Sequence, residues 1–152
     1  MSVADTLAGL GLALPPVATP AGAYIPAVTS GSLVYTAGQL PFIEGALPET
    51  GKVGAEVAVD DAIAFARIAV LNALAAAESA IGSLERVTRV VKVVVFVASD
   101  PSFTAQPSVA NGASELLGQV FGDAGRHARS AVGVAVLPLD SPVEVELILE
   151  FA

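Results

Sequence analysis

Hydrophobic and polar positions alternate most cleanly at the C-terminal end of this 152-residue chain. From Val143 to Phe151, Val143, Val145, Leu147, Leu149 and Phe151 point one way, and Glu144, Glu146, Ile148 and Glu150 point the other. That period of two predicts a strand with one buried and one polar face. Val87 to Ala98, VTRVVKVVVFVA, is a strand by its density of β-branched residues. Its second half is apolar on both faces, so both faces are expected to be covered. His127 to Val136 is the remaining C-terminal strand, joined to the last one by a Leu-Pro turn. Tyr24–Val28 and Leu33–Ala37 are short strand candidates with a Ser30-Gly31-Ser32 turn between them.

A different period marks the helices. From about Val57 to Ile81, Ile63, Ala66, Val70, Leu74 and Ala77 recur at three- and four-residue spacing and define a buried stripe. Asp60 and Asp61 complement the dipole at the start, and Gly82 supplies the stop. A second helix is predicted over Pro107–Phe121, ending at Gly122. Ser2–Leu14 reads as a short amphipathic helix ended by Pro15-Pro16. The glycine- and proline-rich stretch from Pro41 to Gly54 reads as an irregular connection with room for a small hairpin. The element order is β-β-α-β-α-β-β in one domain, without repeat or linker. Each helix returns the chain to the sheet, so the expected class is α+β, one sheet with two helices packed on one face.

Composition sharpens this picture. The chain is 54% hydrophobic with a mean hydropathy of +0.72, mostly from alanine and valine, more than a small monomer needs to bury. Surplus apolar surface of this kind implies burial between subunits. The net charge is −8, which leaves no basic footprint for phosphates, so nucleic acid is not an expected partner. The absence of cysteine excludes disulfides, thiolate metal sites and a cysteine nucleophile. The first basic residue is Lys52, so the N-terminus has no positive n-region. Arg67, Asn72 and Glu78 interrupt the most apolar helical run. No membrane association and a cytoplasmic location are the expectations.

Few residues carry candidate chemistry. Arg129 shares a strand face with His127, Ala131, Gly133 and Ala135, small neighbours that leave space beside a planar, always-charged fork. That suits a bidentate carboxylate ligand. Read from position alone, an ordinary surface arginine, or one paired with Glu144 or Glu146 in an adjacent strand, is the favoured explanation. Glu144 faces away from the apolar side of its strand, where it could orient a water or shuttle a proton; Glu146 and Glu150 on the same face speak for a merely solvated edge. His127, the only histidine, cannot build a metal site alone. Asn111 has a side-chain amide that can meet a ligand or cap a helix. Gly38 offers a bare backbone amide, and Tyr24 a ring and a hydroxyl, at strand-to-loop junctions. No GxGxxG, lysine-terminated phosphate loop or GxSxG elbow is present.

Four segments together resemble the RidA/YjgF family, also labelled L-PSP endoribonuclease or reactive intermediate deaminase. They are ARSAVGVAVLPLDSPVEVE from Ala128 to Glu146, GAYIPAV from Gly22, LVYTAGQLPF from Leu33 to Phe42, and VTRVVKVVVFVASDPSF from Val87 to Phe103. The resemblance covers nearly the whole chain after Ala21. It implies a chorismate-mutase-like fold assembled as a homotrimer with a barrel-like core, and ligand clefts between subunits. It further implies hydrolysis of small enamine or imine acids to 2-oxo acids and ammonia, without metal or organic cofactor. In that scheme Arg129 grips the substrate carboxylate and Glu144 positions the water, while Tyr24, Ala37, Gly38, Asn111 and Ala131 line the cleft. Two positions depart from the family pattern: Ala37 stands where serine is usual, and Ala131 where many members have cysteine. The Tyr24 match is the loosest, because its flanking residues differ. The chain thus reads as a divergent member of the family, with a short helical extension over about residues 1–14. A non-catalytic binder or sensor of small carboxylate metabolites is the alternative, and RNA cleavage is disfavoured by the acidic charge.

Overall fold

The computed structural model describes all residues, 1–152. After an N-terminal helix α1 (Val3–Gly9), the chain forms β1 (Ala27–Ser30), β2 (Leu33–Thr36), α2 (Val59–Ile81), β3 (Val87–Ala98), α3 (Gln106–Phe121), β4 (Ala128–Val134) and β5 (Val143–Phe151). The five strands make one sheet in the order β1-β2-β5-β3-β4. The order β-β-α-β-α-β-β and the α+β class read from the sequence therefore hold. β3 and β4 are parallel, joined by the α3 crossover, and every other pair is antiparallel.

One expectation fails in an instructive way. β4 and β5 are consecutive in sequence but not neighbours, because β3 lies between them. The Leu-Pro segment is not a hairpin turn; it carries the chain past the end of β3. There Ser99 N–H donates to Val134 O at 3.0 Å, and Ala98 N–H to Pro142 O at 2.9 Å. The segment bends through Leu139 and Asp140, both with positive φ (58° and 57°) although neither is glycine. Such backbone costs about 1–3 kcal/mol per residue and persists only where its surroundings hold it. Here an ion pair from Lys52 to the Asp140 carboxylate and a hydrogen bond from Gly51 N–H to Asp140 O at 2.9 Å do so.

Both long helices lie on one face of the sheet. Val93, Val95 and Val97 of β3, and Val143, Val145, Leu147 and Leu149 of β5, are fully buried beneath them. Each such side chain contributes about 1.5–3 kcal/mol relative to exposure. α2 is long and apolar enough, by length and composition, to cross a membrane, but 67% of its most apolar stretch is buried in this core. Its buried face is broader than one stripe, including Ala62, Phe65, Ala69 and Ala73, and Ile63 lies at its margin, half-buried. The alanines let α3 come close. At Gly112 the approach is limiting, because a Cβ there would run into the Ile63 carbonyl oxygen. Asn72, buried in the middle of α2, donates to Leu40 O at 3.0 Å and Phe42 O at 3.1 Å, and so pins the segment after β2.

The opposite face of the sheet is not covered within the chain. Val94 and Phe96 are only half-buried, and Val28, Tyr35 and Val132 are exposed. The expectation that β3 is covered on both faces is therefore met on one side only. Two boundaries also move. The N-terminal helix stops at Gly9 instead of Leu14, with Gly11 in the left-handed region, while Leu12 and Leu14 pack against the core in irregular backbone. The first strand starts at Ala27, after Pro26, so Tyr24 precedes it. The connection after Pro41 does hold a small hairpin, closed by reciprocal hydrogen bonds between Ile43 and Ala46 (2.9 and 3.1 Å).

Candidate functional site

The strand register decides which candidate residues can meet. Val93, buried under the helices, pairs with Arg129 on one side and Leu147 on the other, so Arg129 emerges on the helix face. Phe96 pairs with Val132 and Glu144, so Glu144 emerges on the open face. The two residues singled out for chemistry thus project from opposite faces of one sheet, on strands separated by β3. Pairing between Arg129 and Glu144 or Glu146 is excluded within the chain.

On the helix face, α3 presents Pro107, Asn111 and Ser114 at four- and three-residue spacing, one stripe of its surface. All three grip the guanidinium. Arg129 Nη1 donates to Asn111 Oδ1 at 2.8 Å and to Ser114 Oγ at 3.1 Å, and Nη2 donates to Pro107 O at 3.3 Å. A guanidinium has five N–H groups in a fixed plane. These bonds consume both on Nη1 and one on Nη2. What is left is Nε–H with the second Nη2 hydrogen, the side edge that matches the two oxygens of a carboxylate. The sequence pointed to Arg129 and Asn111 but missed Ser114 and the Pro107 carbonyl. Helical spacing from Asn111 would have found both. His127 lies beside this cluster, hydrogen-bonded through Nε2 to Ser114 Oγ at 2.9 Å. Ala131 shares the Arg129 face but packs against the core.

On the other side, a cleft of about 410 Å³ opens between the N-terminal loop, the end of β2 and the Leu-Pro segment. Tyr24, Gly38, Phe42, Leu139 and Glu144 line it, with mostly apolar neighbours. Its floor comes from a β-bulge. Tyr35 pairs with Ile148, but Gln39 pairs with Val145, so four steps on one strand face three on the other. The Thr36 hydroxyl covers the gap by accepting from Leu147 N–H at 2.9 Å. The bulge brings Gly38 against Glu144, and a Cβ on Gly38 would collide with Glu144 Oε1. The missing Cβ leaves the room in which the Glu144 carboxylate rests. Burial raises the Glu144 carboxyl above the ordinary carboxylate range, and the Glu146 charge adds to the effect. Half-exposed Tyr24 stands at the mouth, its hydroxyl accepting from Ala21 N–H at 3.2 Å. Ala37 N–H donates to Pro26 O at 2.7 Å, and its side chain is outside the lining. No three His, Asp or Glu side chains gather where they could hold a metal ion.

The family model described as "YjgF/chorismate_mutase-like, putative endoribonuclease" matches residues 4–151. The chain belongs to the YjgF family. Among curated relatives, Protein TCP17 of Trypanosoma cruzi is 48% identical over 97% of this chain and 93% of that protein. Among solved structures, a protein of unknown function from Agrobacterium tumefaciens superposes with a TM-score of 0.91 at 42% identity, covering 99% of this chain and 92% of that one. More distant is E. coli TdcF with bound serine, with a TM-score of 0.63 at 27% identity over 91% and 94% of the two chains. Family membership and the chorismate-mutase-like fold implied by the four sequence segments thus hold.

Proposed function

We propose that this YjgF-family chain hydrolyses small enamine or imine acids to 2-oxo acids and ammonia, at clefts completed between the subunits of a homotrimer. The observation that carries this reading is the anchored guanidinium of Arg129. Its three internal bonds fix the plane and leave the carboxylate-matching edge unused. Glu144, in its own cleft on the opposite face, supplies the second half. Because one sheet separates the halves, Arg129 of one subunit works with Glu144 of the next. The uncovered apolar face, with Val94, Phe96 and Val132, is the surface such an assembly buries. TdcF, a relative at 27% identity, was solved with serine, itself a small carboxylate.

The reaction follows from the groups present. Arg129 holds the substrate carboxylate. Glu144 accepts a proton from water as the water oxygen bonds to the imine carbon, the C=N electron pair moves to nitrogen, and Glu144 passes that proton to the nitrogen to give the carbinolamine. Glu144 then takes the hydroxyl proton and delivers it to the nitrogen as C=O forms and the C–N bond breaks, releasing ammonia and the 2-oxo acid. A carboxyl raised by burial is the stronger base for this exchange. The apolar lining of the cleft accommodates an apolar substrate side chain. With Ala37 and Ala131 in place of hydroxyl and thiol groups, proton transfer rests on Glu144 alone.

The test is the rate of 2-oxo acid and ammonia release from imines generated in situ by an amino-acid oxidase. Wild type should exceed spontaneous hydrolysis, and Arg129→Ala should lose about 10²–10³-fold in kcat/KM while remaining assembled. No acceleration across a panel of imines refutes hydrolysis. Saturable binding of 2-oxobutanoate without turnover points instead to a carboxylate sensor, the reading that Ala37 and Ala131 favour.

A further inference from the structure

The Arg129 cluster contains a histidine that the proposed reaction does not use. His127 Nδ1 lies 2.6 Å from Gly125 O, and Nε2 lies 2.9 Å from Ser114 Oγ. A backbone carbonyl only accepts, so Nδ1 carries the hydrogen and the Nε2 of the neutral ring is a bare acceptor. The Ser114 hydroxyl must then donate to Nε2, which turns its lone pairs toward Arg129 Nη1, 3.1 Å away. Every hydrogen in this chain points one way, from Arg129 through Ser114 and His127 to Gly125. The far end is rigid: Gly125 is buried, and a Cβ there would run into the Leu117 carbonyl of α3.

We propose that His127 is a positioning residue for Arg129, acting through Ser114. This rests on the reading of Arg129 as the carboxylate clamp. A serine hydroxyl rotates freely among its staggered positions, and one of them would aim its hydrogen at the guanidinium N–H. The bare Nε2 removes that choice. It keeps Ser114 an acceptor toward Arg129 and holds the plane in which the Nε and Nη2 hydrogens face a carboxylate. A serine bonded to a histidine whose other nitrogen is oriented by a carbonyl also resembles a nucleophile with its base. Ser114 differs in that the guanidinium donates directly to its oxygen, drawing on the electron pair an attack would need.

Because His127 is the only histidine, its imidazole nitrogens can be read without assignment by ¹⁵N NMR. In mildly alkaline buffer the ring should show a protonated Nδ1 and a bare Nε2, and Ser114→Ala should shift the Nε2 signal. His127→Phe should weaken 2-oxobutanoate binding and raise KM about tenfold, because Ser114 is then free to turn away from its bond to the charged guanidinium, with kcat changed far less. His127→Gln, whose amide oxygen can accept where Nε2 does, should restore most of the affinity. A ring protonated on Nε2, or unchanged binding in His127→Phe, overturns the proposal, as does labelling of Ser114 by a fluorophosphonate. The tautomer is read without substrate, so a wild type inactive on imines defeats the hydrolysis reading and not this one.

Discussion

The two faces of the sheet handle their polar residues in opposite ways. On the helix-covered face, Arg129 is held by three hydrogen bonds from one stripe of α3, with Ser114 and His127 behind it. On the open face, Glu144 sits beside Gly38 in an apolar cleft, its charge opposed by burial and by Glu146. One half is fixed before any ligand arrives, and the other is kept electrostatically uncomfortable. The difference matches a division of labour. A group that binds gains from being held in place, whereas a group that moves protons gains from a pKa displaced toward the working pH.

The sharpest way to break this contrast is Glu144→Gln. It should lower kcat by about 10²–10⁴-fold while leaving 2-oxobutanoate affinity near that of wild type, because the clamp is elsewhere. Its effect on stability has a defined sign. Since the folded carboxyl titrates above its unfolded value, the stability it contributes is present below the ordinary carboxylate range and is lost as pH rises through the raised pKa. Glu144→Gln should therefore melt higher than wild type at neutral pH, and the gain should vanish in acid. Calorimetric melts at the two pH values read this directly.

Gly38→Ala comes next. The new methyl group would displace the Glu144 carboxylate, and a shift of about 1 Å at a reacting group costs up to about 10²-fold in rate. Circular dichroism should show the fold intact. Smallest in its effect on chemistry is Gly112→Ala, which forces α2 and α3 apart at the Ile63 carbonyl. It should destabilise by about 1–3 kcal/mol and lower the melting temperature by several degrees, while the folded fraction keeps its kcat.

How much of this was legible in the sequence differs between local and non-local features. β5 and α2 were readable nearly to the residue, because alternation at Val143–Phe151 and the 3.6-residue stripe through Ala66, Val70 and Leu74 are imposed by burial itself. The strand order was not. Leu-Pro between two strands looks like a turn, and nothing local announces that β3 inserts between β4 and β5 or that Leu139 and Asp140 take positive φ. Without that order, the alternation of β4 alone could not tell which sheet face Arg129 shares, so its separation from Glu144 stayed hidden. The bulge at Ala37-Gly38 was likewise invisible, since it depends on the register against β5. Ser114 was missed because its three-residue spacing from Asn111 marks a shared site only once Arg129 is known to lie beneath α3.

If Arg129 and Glu144 act on one substrate from different subunits, two chains that each lack one of them should complement each other. Co-expressed Arg129→Ala and Glu144→Ala chains should each be inactive alone but form mixed assemblies with intact clefts at some interfaces. Random mixing in equal amounts should restore about a quarter of wild-type turnover per subunit. Mixed assemblies, verified by mass spectrometry, that stay as inactive as either parent would contradict action from different subunits.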